Sequence, residues 1–378
     1  MGVLKRLTPH SQYRATKPDY VFIGLTVILV LLGLLFLSSA SSVTGFQRFH
    51  DSYYYVKRQL LFGLLPGAVL FWFFSVWPYQ KLKTIALPAL IFSLVVLAAV
   101  FLPRIGLESG GASRWLLFGS FTVQPSEFVK LAFIVYLAAW LESRSELVRT
   151  FKSGLLPFVL TVSAIMGLMI LQPDIGTTTV IAVSSVAAFF VAGARLSHLV
   201  GLGGLGGGLL WLLIKIAPYR VDRLTVFLHP ELDPQGIGYH VNQALLAVGS
   251  GGWFGLGLGY SRQKHLYLPQ VTSDSIFAII AEELGFIFTT LFLAVVVAWF
   301  VRAFRIVRFA PDGFGRILGT GIVAWLGWQM CINIASMLNI LPLTGVPLPF
   351  VSHGGTALAT TLAAVGILVN MSRQVKTS

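Results

Sequence analysis

The sequence predicts an all-α polytopic membrane protein with about ten transmembrane helices and one large extracytoplasmic loop between spans seven and eight. Three observations carry that reading. Hydrophobic residues make up 56% of the 378 positions, charged residues only 11%, and the mean hydropathy is +0.82, more apolar surface than a soluble domain can hide. Apolar windows recur near 19–40, 57–77, 84–103, 126–141, 154–171, 177–194, 199–217, 275–301, 315–338 and 354–371, several at the short end of the ~20 residues a bilayer crossing needs. One polar stretch, 218–273, interrupts them. The chain reads as one integral membrane domain over 1–378, with a cytoplasmic N-terminal segment at 1–18 and a cytoplasmic tail at 372–378.

The first window is too long for a signal peptide and lacks a small-residue cleavage site, so it reads as a retained anchor. With the N-terminus inside, 16 of the 27 lysines and arginines fall on inner segments, as the positive-inside bias requires. Both termini are then cytoplasmic and 218–273 is outside. The net charge of +13 follows from this bias and from contact with anionic lipid, and calls for no nucleic acid. The single cysteine, Cys331, falls within a span, so neither a disulfide framework nor a metal cluster is indicated.

Even-numbered spans descend from the outer face, and their N-termini look alike. The fourth opens with Gln124-Pro125-Ser126-Glu127, the sixth with Gln172-Pro173-Asp174-Ile175-Gly176-Thr177, the eighth with Thr272-Ser273-Asp274. The tenth opens on Ser352-His353-Gly354-Gly355, after a loop holding Pro342, Pro347 and Pro349. Proline suits a first helical turn, and Ser, Asp and Glu cap it and complement the dipole. Each terminus alone is a well-capped helix. Together with Arg114, Lys130, Arg223 and Lys264 they predict a cationic rim suited to phosphate, on the side where the topology bias disfavours basic residues.

Gly201 to Gly208 in the seventh span predict close helix packing. The run from Gly249 to Gly259 is not a nucleotide-binding loop, because no Gly-Lys-Ser/Thr follows it; it reads as a tight or mobile turn. Tyr239 to Val248 has helical spacing and predicts a short interfacial helix. Glu127 and Lys130, three apart, are placed to pair with each other, or Lys130 meets an anionic headgroup. Glu282 lies eight residues beyond Asp274, ~12 Å deeper on a helix and about 80° around from it, with Glu283 nearly opposite. Two readings of Asp274 stand side by side: an N-cap, whose pKa falls, or a partly buried general base toward a sugar hydroxyl.

The chain resembles the SEDS proteins (shape, elongation, division and sporulation), the bacterial peptidoglycan polymerases that include FtsW, RodA and SpoVE. The resemblance covers nearly the whole chain. It rests on Gly111-Ala112-Ser113-Arg114-Trp115-Leu116, the Gln124 to Lys130 and Gln172 to Thr177 motifs, Asp233-Pro234-Gln235-Gly236 with Gly238-Tyr239-His240, and Gln263-Lys264 with Tyr267-Leu268-Pro269. Asp274 with Ile276-Phe277-Ala278, Glu282-Glu283-Leu284-Gly285, and Leu348 through Gly355 complete it.

The resemblance implies a glycosyltransferase that joins lipid II units at the outer leaflet, partnered by a class B penicillin-binding protein. It makes Asp274 the essential carboxylate and puts Trp115, Glu127 and Lys130 in or near a central cavity. The Gln263 to Pro269 signature looks more like the division and sporulation branch. The chain departs from the family at Ser273-Asp274-Ser275, where Thr-Asp-Phe is usual, and at Ser352-His353-Gly354-Gly355-Thr356, where Ser-Tyr-Gly-Gly-Ser is usual. The expected reaction transfers the growing undecaprenyl-diphosphate-linked glycan to the GlcNAc 4-hydroxyl of lipid II with inversion. Asp274 is the base, and Arg114, Lys130, Arg223 and Lys264 stabilise the leaving diphosphate. Glu282 and Trp115 complete the candidate substrate-binding set. A divalent cation at the diphosphate is compatible, though no ligand cluster demands one. The rival readings are a lipid II flippase and a non-catalytic scaffold.

Overall fold

Leu-, Val- and Phe-rich segments in a bilayer must satisfy their backbone groups internally, which leaves the helix as their stable form. The computed structural model describes residues 13–15, 17–102, 106–109, 112–118, 121–216, 218–229, 232, 236 and 238–376. Residues 1–12, Gly111 and Asp233-Pro234-Gln235 of the motifs above lie outside them. In chain order the helices are α1 (Tyr20–Phe49), α2 (Tyr54–Val76), α3 (Tyr79–Phe101), α4 (Pro125–Ser143), α5 (Phe151–Leu171), α6 (Ile175–Val191) and α7 (Leu196–Ile216). Then come α8 (Pro218–Leu228), α9 (Tyr239–Ser250), α10 (Ile276–Arg308), α11 (Gly313–Met337) and α12 (Gly355–Ser372). Among the described residues seven of them, α1, α2, α3, α5, α10, α11 and α12, are long and apolar enough to cross a membrane. α6 is shorter, and α4 carries Glu127, Lys130 and Glu142.

The all-α expectation needs one correction. Between α3 and α4, strands β2 (Gly106–Ser109), β3 (Ala112–Phe118) and β4 (Phe121–Val123) form an antiparallel sheet, in a stretch whose aromatic and branched residues suit strands. Near the ends of the chain, β1 (Tyr13–Ala15) pairs with β5 (Gln374–Lys376), so the two terminal segments meet.

The eighth apolar window is not one continuous helix. Gly285 has φ 70° and ψ −176°, which breaks α10. Before the break, Ile276 through Glu283 are all buried; beyond it, Phe286, Leu291, Val297, Val301 and Phe304 are exposed as a lipid-facing surface would be. Residues 286–308 alone are long enough to span, and Asp274 therefore begins a buried half-helix. The glycine run fills the break. Leu256 and Gly257 N–H groups donate to the Glu282 and Glu283 carbonyls at 3.0 Å, while Phe286 and Ile287 N–H groups donate to Gly252 and Trp253 at 2.8 and 3.1 Å. A Cβ on Gly255 would meet the Glu283 carbonyl oxygen at 2.1 Å, so glycine is required for this docking.

The short helix expected over Tyr239 to Val248 is present as α9, and α8 is a second helix in the 218–273 stretch; α9 buries Val241, Ala244 and Ala247 on the protein, packing against α10. One packing expectation changes with the structure. The α7 glycines do not mediate helix packing: no atom lies within 4 Å of a Cβ placed on Gly201, Gly203, Gly204, Gly206, Gly207 or Gly208.

These environments predict opposite outcomes for the same change. Gly285→Ala is expected to destabilise by at least ~1–3 kcal/mol, from left-handed strain plus a clash with Gly255. Gly204→Ala should be neutral or stabilising, because it removes a helix-interior glycine without contact. Thermal unfolding in detergent distinguishes them.

Candidate active site

The segment between α11 and α12, residues 338–354, is irregular; it lies against the α6 and α10 entrances and leads into the α12 entrance, whose first turn meets the α4 entrance. A Cβ on Gly176, in the first turn of α6, would meet Val346 at 2.2 Å. The His353 N–H donates to the Thr272 carbonyl at 2.8 Å, and a Cβ on Gly345 would lie 3.7 Å from Asp274 Oδ2. At α4, the Gln124 N–H donates to Thr356 Oγ1 at 3.3 Å. Side chains anchor this segment's backbone. Asn333 Nδ2 donates to the Asp274 and Val346 carbonyls at 2.8 and 2.7 Å, and Gln329 Nε2 donates to the Pro347 carbonyl at 3.0 Å. Gln59 on α2 bonds the Ser352 carbonyl and the Gly354 N–H. Ser352 Oγ bonds the Ser273 carbonyl.

Asp274 lies one residue before the helix cap, Ser275, and is half-buried. No side-chain bond caps α10, so the N-cap reading of Asp274 fails. Its Oδ1 accepts from the Ser273 hydroxyl at 2.9 Å. Beside it is His240 of α9, a motif residue to which the sequence assigns no role. His240 Nε2 is 2.6 Å from Ser275 Oγ. Burial pushes the His240 imidazole below its usual range, the Asp274 carboxylate opposes that, and Arg223 adds to it. Neutral imidazole therefore prevails at neutral pH. Arg223, exposed on α8, donates to the Leu343 carbonyl at 3.1 Å. Asp274, His240 and Arg223 thus belong to one neighbourhood assembled from three separate stretches of chain.

The other sequence-selected residues divide. Glu127 and Lys130 form an ion pair at 2.8 Å with both side chains 2% exposed. Lys130 Nζ also donates to Gln329 Oε1 at 3.0 Å and lies 5.0 Å over the Trp325 ring. Through Gln329 the pair reaches the 338–354 segment. Arg114 donates to the Gln172 and Pro173 carbonyls and so braces the entrance to α6. Trp115, half-buried on β3, faces Leu107 in the sheet register.

Lys264 and Glu282 stand apart from this neighbourhood. Lys264 is not a rim cation: it is buried, with Nζ on Glu283 Oε1 at 3.1 Å and on the Gly259 carbonyl at 2.6 Å. Glu282 accepts from Ser261 Oγ and from the Arg262 N–H at 3.0 Å, which fastens the turn after the glycine run. Deleting one partner of a pair so buried typically costs ~3–5 kcal/mol. Both are placed to hold the loop against the break in α10. Among the described residues no group of three His, Cys, Asp or Glu side chains is arranged to hold a metal ion.

A family model described as cell cycle protein, covering FtsW, RodA and SpoVE, matches residues 19–377. The chain belongs to the FtsW/RodA/SpoVE family. It is 40% identical over 361 residues to stage V sporulation protein E of Bacillus subtilis, covering 95% of this chain and 98% of that one. It is 38% identical over 366 residues to a probable peptidoglycan glycosyltransferase FtsW of Trichlorobacter lovleyi, covering 96% and 95%. Among solved structures, a chain of a peptidoglycan synthase complex described as coordinating polymerization and crosslinking matches with a TM-score of 0.77 and 28% identity, covering 94% of this chain and 98% of that one. The rod shape determining protein RodA of Thermus thermophilus matches with 0.69 and 27%, covering 94% and 97%.

Within this family member, both departures from the usual motifs have structural counterparts. Ser275 supplies the hydroxyl that holds His240. His353 packs edge-on against Tyr55, ring centroids 5.1 Å apart. Burial, with help from Arg58, lowers the His353 pKa to about 4. As pH falls from 6.5 toward 4 the unfolded chain takes up a proton here that the folded protein refuses, so stability is present above 6.5 and lost across that window. The loss is about 3 kcal/mol. His353→Tyr, which keeps a ring, should remove this component from the pH dependence of thermal unfolding in detergent.

Proposed function

We propose that this family member is a peptidoglycan glycosyltransferase that polymerises lipid II at the outer leaflet of the bacterial cytoplasmic membrane, with ten spans and both termini cytoplasmic. The observation that carries the reading is Asp274: half-buried, released from helix capping, and facing the 338–354 segment, which also lies against the α6 entrance and leads into α12. The names of the relatives supply the reaction class. The pairing of β1 with β5 is consistent with both ends on one side.

In the reaction, the GlcNAc 4-hydroxyl of the incoming lipid II attacks the anomeric carbon of the growing glycan. The new C–O bond forms as the bond to the undecaprenyl diphosphate breaks, with inversion, and the hydroxyl proton passes to Asp274. Arg223 and the helix entrances stabilise the departing diphosphate, and Arg114 keeps the α6 entrance in place. Four buried polar atoms without a hydrogen-bond partner among the described residues, Ser126 Oγ, Glu127 Oε2, Asn333 Oδ1 and Thr344 Oγ1, belong to these same elements. They offer hydrogen bonds to a polar substrate, since leaving such groups unmet costs ~1–3 kcal/mol each. A class B penicillin-binding protein is the expected partner, contacting the later spans and the 218–273 region.

One observation favours lipid transport instead: the broken helix at Gly285, since carriers place binding sites at such breaks. Here the freed carbonyls are occupied by the glycine run, so the break is filled with protein and lines no passage. Polymerisation remains the better reading. Purified protein that moved labelled lipid II between leaflets without making glycan would reverse the order.

Asp274→Asn, supplied with lipid II, should polymerise ~10²–10⁴-fold more slowly, the usual worth of a positioned base; glycan made at the parental rate would remove Asp274 from that role. His240 is a positioning residue acting through Ser275. His240→Ala should slow turnover about ten-fold, the worth of one good hydrogen bond. His240→Gln, which keeps a polar contact, should recover most of it with the same KM.

A further inference from the structure

A cavity lies away from the candidate active site, at the end of the molecule where the two terminal segments meet. Its volume is about 530 Å³, within the range of small-ligand sites. Lys17, Asp19, Arg302 and Arg305 supply its charge, Tyr20, Val21 and Phe309 part of its apolar wall. Asp19 is already committed. Its Oδ1 caps α1 through the Phe22 N–H at 3.0 Å, its Oδ2 lies 3.2 Å from Arg302 Nε, and its own N–H donates to Ser372 Oγ at 3.1 Å. Lys17 and Arg305 have no acidic partner among the described residues, so the cavity keeps a surplus of positive charge beside the positive end of the α1 dipole.

The rim has the opposite character. Tyr20, Val21 and Phe309 are 66%, 55% and 68% exposed. They flank the ends of α1 and α10, both long enough to cross a membrane. Exposed cations and a greasy rim therefore adjoin at the ends of two helices long enough to span. An inorganic anion would use only the first of these features; a phospholipid uses both.

We propose that this cavity binds the headgroup of an anionic glycerophospholipid, with its phosphate on Lys17 and Arg305 and its acyl chains along Tyr20, Val21 and Phe309. The lipid would tie together α1, α10 and α12 at the end opposite Asp274. This goes beyond the glycosyl-transfer reading and does not depend on it.

The test uses purified full-length protein in neutral detergent, titrated with phosphatidylglycerol, phosphatidylcholine or inorganic phosphate. Bound lipid is quantified by mass spectrometry alongside thermal unfolding. Phosphatidylglycerol should be retained and raise the unfolding temperature, while phosphatidylcholine and phosphate should do neither. Lys17→Gln with Arg305→Gln should weaken phosphatidylglycerol binding about 30-fold, taking each cation at its usual membrane-surface worth. Both residues are exposed, so the lipid-free unfolding temperature should stay at the parental value, which separates lost binding from lost fold. Arg316→Gln, a basic change outside the cavity, should leave binding intact. Equal retention by the double variant overturns the proposal. So does equal binding of phosphatidylcholine, an equal loss in Arg316→Gln, or a matching response to phosphate alone.

Discussion

Backbone that leaves the helix inside a bilayer protein must find its hydrogen-bond partners in the protein itself, and the interesting parts of this molecule are answers to that constraint. The 338–354 segment is held by amide side chains on regular helices: Gln59, Gln329 and Asn333. The break at Gly285 is closed by the glycine run, backbone to backbone. The first of these repairs also holds a candidate site residue in place. Asn333, by gripping the Asp274 carbonyl, sets where that carboxylate stands.

Electrostatics follow the same economy. Glu282 accepts hydrogen bonds from a loop, while Glu127 and Glu283 are joined to lysines. All three are buried. Asp274 differs from them in being half-buried, without a lysine or arginine bonded to its carboxylate among the described residues. A carboxylate already saturated by an ion pair is a poor proton acceptor. On the proposed reading, Asp274 is the base as much because the other acids are occupied as because of its own local setting.

His240 and Ser275 extend that logic. Ser275 departs from the residue usual in the family, and its hydroxyl meets an imidazole delivered by α9. The helix carrying His240 packs on the same half-helix that Asp274 begins, so the contact joins the 218–273 region to the candidate active site directly.

The sequence by itself determined the membrane class, the positions of the long helices, the helix entrances rich in Pro, Asp and Ser, and the prominence of Asp274. Those features are written in local composition: apolar run length, capping residues, and a charge beside a hydrophobic segment. Glu127 and Lys130 were also legible as a pair, since three residues on a helix bring them together. Only the tertiary structure decided that Lys264 belongs to Glu283, that the α7 glycines face open space, that α10 is broken, and that His240 stands beside Asp274. Lys264 looks like a free cation until the chain folds back on Glu283. His240 lies 34 positions from Asp274, and no periodicity encodes that meeting. Hydrogen bonds between distant segments are chosen by packing, and packing is a property of the assembled helices rather than of any window along the chain.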